Sequence, residues 1–215
     1  MSATVPIVHV VDDDASFLTA ISRLLRAKGF SVKTYSSAQE FLKQRYADVP
    51  GCVLADLQMP EMNGLDLQAA LAQTSNPLPI LFLTGHGDIP TSVQAMRDGA
   101  EDFLEKRAPK EKLIDAVTRA LARDSREREA RERLRELRAL FNTLTDRERE
   151  VLAHVVQGRL NKQIAWDLNI HERTVKLHRT AITTKLQVQS VAELTRLTQE
   201  AGIFQELIHT FPKGQ

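Results

Sequence analysis

Short apolar runs alternate with amphipathic stretches through the first half of the chain. In the amphipathic stretches apolar residues recur three or four positions apart, as at Phe17, Ile21 and Leu24, which is typical of helices. Apolar runs bounded by polar residues are typical of buried strands. The pattern predicts an α/β domain, a doubly wound five-stranded parallel sheet with helices on both faces. The predicted strands are 6–11, 30–35, 52–55, 79–83 and 102–104.

Beyond residue 141 the pattern contains helical spacings and no strand-like run. Thr145 and Glu148 form a capping box that begins one helix, and Ser190 and Glu193 begin another. Between them lie a short helix from Asn161, a turn, and a longer helix over 172–186, which is the order of a helix-turn-helix. The sequence therefore predicts a second, all-α domain.

A charged stretch over 119–140 connects the two predicted domains. It contains neither Gly nor Pro, and acidic and basic residues alternate at spacings that form ion pairs on a helix. We predict that the last helix of the first domain continues into it. Two interpretations stay open: a solvated charged helix, or a helical arm whose short apolar seam of Leu134, Leu137 and Phe141 packs on a second copy.

Composition and charge narrow the class of protein. The 215 residues are 42% hydrophobic and 27% charged, which excludes collagen-like, disulfide-rich and fully disordered chains. The single cysteine, Cys52, cannot close an intrachain disulfide and indicates a reducing compartment. No apolar run is long enough to span a bilayer or to serve as a signal peptide, so we expect a cytoplasmic protein without a membrane partner. Residues 1–118 carry a net charge of −4 and the remainder is basic, which indicates two modules with different partners.

Polar residues follow the predicted strands at one edge of the sheet. Asp12 and Asp13 follow the first strand, Asp56 the third, Thr84 the fourth and Lys106 the fifth. Because ligands bind at the carboxyl ends of parallel strands, we expect these side chains to converge. Three converging carboxylates require a cation, and hard oxygen ligands on an open site suit Mg²⁺. A carboxylate beside Mg²⁺ can attack a phosphoryl group, whose oxygens a hydroxyl and an ammonium then hold.

Five motifs in residues 5–120 closely resemble a response-regulator receiver domain, which has a flavodoxin-like fold: V-V-D-D-D (10–14), V-L-A-D-L-Q-M-P (53–60), G-L-D (64–66), L-T-G-H-G-D (83–88) and G-A-E-D-F-L-E-K (99–106). The resemblance implies that Asp56 accepts a phosphoryl group from a phosphohistidine and that Lys106 binds the phosphate. It implies that Thr84 and Phe103 form a switch pair. The implied Mg²⁺ ligands are Asp12, Asp13, Asp56 and the backbone carbonyl of Gln58.

Three positions in the receiver-like half of the chain need separate interpretation, namely Arg107, Phe103 and His86. The receiver family usually has Lys-Pro at the last strand with a cis peptide bond, whereas Arg107 follows Lys106 here. Phe103 lacks the hydroxyl of the tyrosine that is frequent in the switch pair, so its rotation would act through burial alone. His86 has two open interpretations, a residue beside the phosphoryl group that affects dephosphorylation, or an exposed loop histidine.

The predicted helix 172–186 has two faces at 100° per residue. Val175, Ile182 and Leu186 form a core face, and the opposite face combines cations, hydroxyls and Leu177. That mixture suits a DNA major groove, and it suits an ordinary solvated face as well.

The motifs L-T-D-R-E-R-E-V-L (144–152), N-K-Q-I-A-W-D-L-N-I (161–170), T-V-K-L-H (174–178) and K-L-Q-V (185–188) closely resemble the LuxR-type DNA-binding domain. We expect Trp166 to be a packing residue and not one that stacks on a base, and His171 occupies a position where the family often has a Ser cap. The DNA-binding candidates are Lys176, Leu177 and Thr180 toward the groove, with Arg173, His178 and Lys162 nearer the backbone.

The whole chain thus resembles a two-component response regulator of the FixJ/NarL family. The expected parts are a receiver at 1–118, a charged helical linker at 119–140 and a LuxR-type helix-turn-helix domain at 141–215. The resemblance implies a transcription regulator that is not an enzyme: a sensor histidine kinase phosphorylates Asp56, the receiver dimerises, and the dimer binds double-stranded DNA. Two other classes stay open, a small phosphatase or phosphotransferase that uses Asp56 as a turnover nucleophile, and a switch whose helical module binds another protein.

Overall fold

The structure is a computed structural model that describes residues 4–45, 48–85 and 89–210. The chain divides between Glu129 and Ala130 into two compact units, each with its own hydrophobic core. Across these described ranges, no helix is both long enough and apolar enough to cross a membrane.

The first unit contains a five-stranded, all-parallel sheet, as predicted. The strands have the order β2-β1-β3-β4-β5, so the chain starts near the centre and winds both ways. The strands are β1 (Ile7–Val11), β2 (Ser31–Tyr35), β3 (Gly51–Asp56), β4 (Ile80–Thr84) and β5 (Asp102–Glu105). The helices between them are α1 (Ala15–Ala27), α2 (Ala38–Gln44), α3 (Gly64–Ala72) and α4 (Ile89–Arg97).

Helices cover both faces of the sheet, because side chains alternate along each strand. On β3, Val53 and Ala55 belong to one core cluster, whereas Cys52 and Leu54 belong to the other. Strand β3 is buried along its whole length, which explains its apolar sequence. Gly51 begins it where a Cβ would lie 2.0 Å from a backbone oxygen of β1, so no side chain fits there.

A single helix, α5 (Lys110–Asn142), follows the sheet and continues through the charged stretch, which confirms the predicted continuation. Its first turns pack on the sheet through Leu113 and Val117. Asp124 is buried, accepts a hydrogen bond from the backbone N–H of Gly51 at 2.8 Å, and forms an ion pair with Arg128 at 2.8 Å. Contacts with the first unit therefore extend past the predicted domain end at residue 118.

The last turns of α5 belong to the second unit. Leu137 and Phe141 are buried in the core of that unit, and Arg133 forms an ion pair with Glu200 at 3.0 Å. Leu134 is partly buried. The interpretation of these residues as a seam for a second copy is wrong for Leu137 and Phe141, because both are already covered by their own chain.

The second unit is all-helical, as predicted. Its helices are α6 (Asp146–Val156), α7 (Asn161–Asp167), α8 (Glu172–Lys185), α9 (Val191–Glu200) and α10 (Phe204–Thr210). The capping box of Thr145 and Glu148 is present at the start of α6. The turn between α7 and α8 places Asn169 at a φ of 50°, a left-handed conformation that Asn tolerates. Helix α10, which the sequence pattern did not predict, packs on α6 through the buried Leu207.

Candidate functional site

Three carboxylates meet at the carboxyl edge of the sheet. Asp56 is the last residue of β3, and Asp12 and Asp13 directly follow β1, which pairs with β3. Asp12, Asp13 and Asp56 each have a carboxylate oxygen within 4.8 Å of the others. Asp12 and Asp56 are buried, whereas Asp13 is exposed. The topology thus brings together the carboxylates that the sequence predicts to converge.

The ammonium of Lys106 lies between two of these carboxylates. Its Nζ is 2.7 Å from Oδ2 of Asp12 and 2.9 Å from Oδ2 of Asp56. The backbone N–H of Lys106 donates to the carbonyl of Thr84 at 2.8 Å, which fixes the end of β5 against β4. Arg107 follows through a trans peptide bond, since no bond between described residues is cis. The lysine therefore reaches the site without the proline that the resembled family usually has.

Burial and charge act against each other in this cluster. Burial of Asp12 raises its pKa; the hydrogen bonds from Lys106 and the backbone of Asp14 lower it without cancelling the increase. Burial lowers the pKa of Lys106, but its hydrogen bonds to Asp12 and Asp56 outweigh this effect and the net pKa is raised. The ammonium of Lys106 therefore offsets only part of the cost of burying these carboxylates, and a second cation would offset more of it.

The donor set fits a hard divalent cation. Mg²⁺ prefers oxygen ligands from a few carboxylates and keeps several waters, and an exposed carboxylate beside two buried ones leaves room for them. Gln58, whose backbone carbonyl was expected to be a ligand, is exposed and follows β3. Its backbone N–H donates to Oδ1 of Asp56 at 3.3 Å, so it lies beside the cluster.

The two expected switch residues lie on neighbouring strands. Thr84 is the buried last residue of β4 and is paired in register with Glu105. Phe103 is partly buried on β5, with its ring centroid 6.2 Å from that of Phe82. It also lines a shallow groove with Val93 and Met96 of α4. His86 lies outside the described residues.

Helix α8 has the two faces that the sequence predicts. Val175, Ile182 and the following Leu186 are buried. The opposite face is open to solvent, and Leu177 is 64% exposed there. Six residues are expected to contact the DNA groove or the DNA backbone. His178 is partly buried, and the other five are exposed: Lys162, Arg173, Lys176, Leu177 and Thr180.

Two residues of the second unit, Trp166 and His171, need separate description. Trp166 on α7 is 87% exposed, so the expectation that it packs is wrong: on this short helix Ile164 occupies the core. His171 occupies the N-cap of α8 and its side chain makes no capping hydrogen bond. The helix is held instead from its side, where the guanidinium of Arg179 donates to Oδ1 of Asn161 at 3.0 Å.

Comparison with known proteins identifies one family in each of the two units. The family described as "Response regulator receiver domain" matches residues 8–118, and "Bacterial regulatory proteins, luxR family" matches residues 142–198. Nodulation protein W of Bradyrhizobium diazoefficiens is 41% identical over 202 residues, covering 94% of this chain and 89% of that protein. Response regulator protein TmoT of Ectopseudomonas mendocina is 44% identical over 193 residues, covering 90% of this chain and 88% of that protein.

The transcriptional regulatory protein FixJ of Bradyrhizobium diazoefficiens is 35% identical over 199 residues, covering 93% of this chain and 97% of that protein. The chain belongs to the response regulator family. A low-resolution structure of the response regulator StyR is similar over 91% of this chain and 98% of that one, with 44% identity and a TM-score of 0.81. This response regulator is of the FixJ/NarL type, with a histidine kinase as partner of the receiver and DNA as partner of the LuxR-type domain. It is a phosphorylation-controlled transcription regulator and not an enzyme.

Proposed function

We propose that Asp56 is the phosphoacceptor of this response regulator. The supporting observation is the contact of Lys106 with both Asp56 and Asp12, which holds a cation against the carboxylate at the end of β3. One oxygen of Asp56 forms a bond to phosphorus as the bond between phosphorus and the kinase histidine nitrogen breaks, and that nitrogen regains a proton. The ammonium of Lys106 then binds phosphoryl oxygens, which carry negative charge.

We also propose that Asp12, Asp13, Asp56 and the carbonyl of Gln58 hold Mg²⁺. A bound Mg²⁺ supplies charge neutralisation for the phosphoryl oxygens and for the nucleophile. The chain itself contributes the burial of Asp12 and Asp56, which fixes both carboxylates, and the exposure of Asp13, which leaves the site open to the donor. Since the kinase and DNA must both reach the protein, we propose that it acts in the cytoplasm.

Incubation with acetyl phosphate and Mg²⁺ tests the phosphoacceptor. We expect one acid-labile phosphoryl group per chain, measured by intact mass, and none on Asp56→Asn. The exposed Asp115 on α5 provides the matched control, so Asp115→Asn should react like the parent. Asp13→Ala should remove the dependence on Mg²⁺ together with the reaction. Stoichiometric labelling of Asp56→Asn would refute the assignment.

Phosphorylation-dependent dimerisation is the second part of the proposal. Helix α4 presents exposed apolar side chains at Ile89, Val93 and Met96, beside the partly buried Phe103. This apolar face adjoins the expected switch strand β5, so a change in the position of Phe103 would alter it directly. We propose that two receivers pair through the α4 and β5 face once Asp56 is phosphorylated.

Sedimentation velocity with and without acetyl phosphate tests this pairing. Met96→Glu places a charge in the proposed interface, and we expect it to remain monomeric while still accepting one phosphoryl group. Ala69→Glu adds the same charge at an exposed position of α3 and should dimerise like the parent. Equal masses for the phosphorylated and unphosphorylated parent, at concentrations above those used for DNA binding, would refute the proposal.

We further propose that the exposed face of α8 reads DNA. Lys176, Leu177 and Thr180 share that face, and the ion pair between Lys176 and Glu172, at 3.5 Å, is exposed and easily exchanged for a phosphate or a base. Arg173, His178 and Lys162 are proposed to contact the backbone. Pairing of receivers brings two such helices together, which raises affinity through effective concentration.

Titrations of selected genomic fragments and random duplex at several salt concentrations test the reading face. Lys176→Ala should weaken binding, either on all sequences with a salt slope smaller by about one unit, or by about 1–3 kcal/mol on the selected fragments alone. Leu177→Ala should weaken only the selected fragments, because an apolar side chain gains nothing from phosphate. Lys112→Ala, at an exposed position in the first unit, is the control. Parent-like binding by both α8 variants would refute this face and favour a protein partner for the second unit.

A further inference from the structure

One contact of Lys106 involves no charged partner. Its Nζ lies 4.5 Å from the centroid of the Phe17 ring on α1, a distance at which an ammonium is attracted to an aromatic ring. The contact occurs beside the acidic cluster, since the same Nζ is within 2.9 Å of Asp12 and Asp56. An aromatic ring thus accompanies two carboxylates around one ammonium.

The acidic run itself positions this ring. The carboxylate of Asp14 accepts hydrogen bonds from the backbone N–H groups of Ser16 at 2.8 Å and Phe17 at 3.1 Å, so it caps the start of α1. The backbone N–H of Asp14 in turn donates to Oδ1 of Asp12 at 2.9 Å. The first turn of α1 is therefore tied to the carboxylate that Lys106 contacts.

Packing holds the ring from the other side. Phe17 is partly buried and packs on the core cluster that contains Val10 of β1 and Leu83 of β4. A ring fixed by a helix cap and by the core keeps its place whatever the charge state of the site. The side chain of Lys106 is 20% exposed, so the ring is part of what separates it from solvent.

We propose that Phe17 is a positioning residue for phosphotransfer, whose ring holds the ammonium of Lys106 at the phosphoacceptor. This inference rests on the proposed role of Asp56. Phosphorylation turns one Asp56 oxygen into the bridging oxygen of a mixed anhydride and weakens it as an acceptor, whereas the ring carries no charge that the reaction alters. The contacts of Lys106 with Phe17 and with Asp12 are therefore the two that persist while the lysine exchanges Asp56 for phosphoryl oxygens, and of these two partners only the ring is uncharged.

The experiment compares Phe17→Leu, which keeps apolar volume but removes the ring, with Phe17→Tyr, which keeps the ring. The rate of phosphorylation by acetyl phosphate and Mg²⁺ is measured on the full chain. We expect Phe17→Leu to be phosphorylated about two- to fivefold more slowly than the parent, and Phe17→Tyr to be phosphorylated at the parental rate. Phe30→Leu is the matched control, because Phe30 is also partly buried on the same core cluster but lies beyond the other end of α1.

A spectroscopic measurement separates positioning from packing. Protons on the ε-carbon of a lysine over a ring are shifted upfield by the ring current, and the Lys106→Met spectrum assigns that signal. We expect the upfield shift in the parent, Phe17→Tyr and Phe30→Leu, and its loss in Phe17→Leu. Equal rates for the parent and Phe17→Leu, or equal slowing in Phe17→Leu and Phe17→Tyr, would overturn the inference. Failure of the parent to be labelled at Asp56 would instead overturn the proposed function, and the upfield shift would still report the contact.

Discussion

Acidification should destabilise the first unit through one buried histidine. His9 lies on β1 with 4% of its surface exposed, and its Nδ1 is 3.0 Å from the hydroxyl oxygen of Tyr35. Its ring centroid is 5.2 Å from that of Phe41. Burial, together with the positive charges of Lys33 and Arg45, lowers the pKa of His9 from 6.5 to about 4. The folded chain therefore keeps this ring neutral where the unfolded chain protonates it.

The sign and size of the effect follow from that difference. Above the unfolded pKa of about 6.5 both states are neutral and the stability is complete. As the pH falls toward the folded pKa, the unfolded state binds a proton that the folded state does not, so stability is lost. Each pKa unit is worth about 1.4 kcal/mol, which gives a loss of about 2 kcal/mol at pH 5 and about 3 kcal/mol well below pH 4.

Urea unfolding of the parent and His9→Gln, followed by circular dichroism at pH 7.5, 6 and 5, measures this loss. Glutamine does not titrate, and its amide can still hydrogen-bond to the Tyr35 hydroxyl. Between pH 7.5 and 5 the free energy of unfolding of the parent should fall by about 2 kcal/mol more than that of the variant. Amide hydrogen exchange of the second unit, measured by mass spectrometry on the same samples, is the internal control and should be the same in the two proteins. A parallel loss of stability in the two proteins would refute the reasoning.

Three further predictions concern the second unit and are measured by urea unfolding followed by the helical circular dichroism signal. His171→Ser supplies the capping oxygen that α8 lacks and should raise the free energy of unfolding by about 1 kcal/mol; no gain would mean that the helix end is already satisfied. Gln187 has a φ of 55°, so Gln187→Gly should raise the free energy of unfolding by roughly 0.5–1 kcal/mol, and a decrease would contradict the left-handed backbone conformation. Leu137→Ala should lower the free energy of unfolding by about 2–5 kcal/mol, because Leu137 is buried in the core of this unit. An unchanged transition would mean that the end of α5 does not pack in that core.

The position of the acidic site was predictable because of how parallel strands are arranged. Once β1, β3 and β5 are read as parallel, Asp12, Asp56 and Lys106 lie at the same edge of the sheet, and the pairing of β1 with β3 brings the two aspartates together. The distances that give the site its chemistry depend on more. The ion pairs of Lys106 at 2.7 and 2.9 Å depend on the backbone hydrogen bond to Thr84 that orients the end of β5, and no spacing in the sequence encodes that bond.

The second unit shows where hydrophobic periodicity stops being informative. The pattern states that Leu137 and Phe141 need to be covered, but a core of the same chain and the surface of a second copy satisfy it equally well. The structure covers them with the chain's own helices. Trp166 shows the converse, since an apolar residue at helical spacing lies 87% exposed while Ile164 and the partly buried Ala165 of the same helix pack on the core. Tertiary packing decides both cases.

Asp12, Asp13 and Asp14 have identical side chains but different environments, because each leaves the end of β1 at a different position. Asp12 is buried and contacts Lys106, Asp13 is exposed beside it, and Asp14 turns outward to cap α1. Because adjacent residues leave the end of a strand in different directions, one carboxylate can face the site while its neighbour begins a helix. Asp14 also fixes the position of Phe17, because its carboxylate accepts a hydrogen bond from the backbone N–H of Phe17. Since the Phe17 ring contacts Lys106, we expect Asp14 to influence the position of the ammonium through α1. An Asp14→Ala variant should therefore weaken both α1 and the hold on Lys106, whereas Asp13→Ala should weaken Mg²⁺ binding at the proposed site and leave α1 intact.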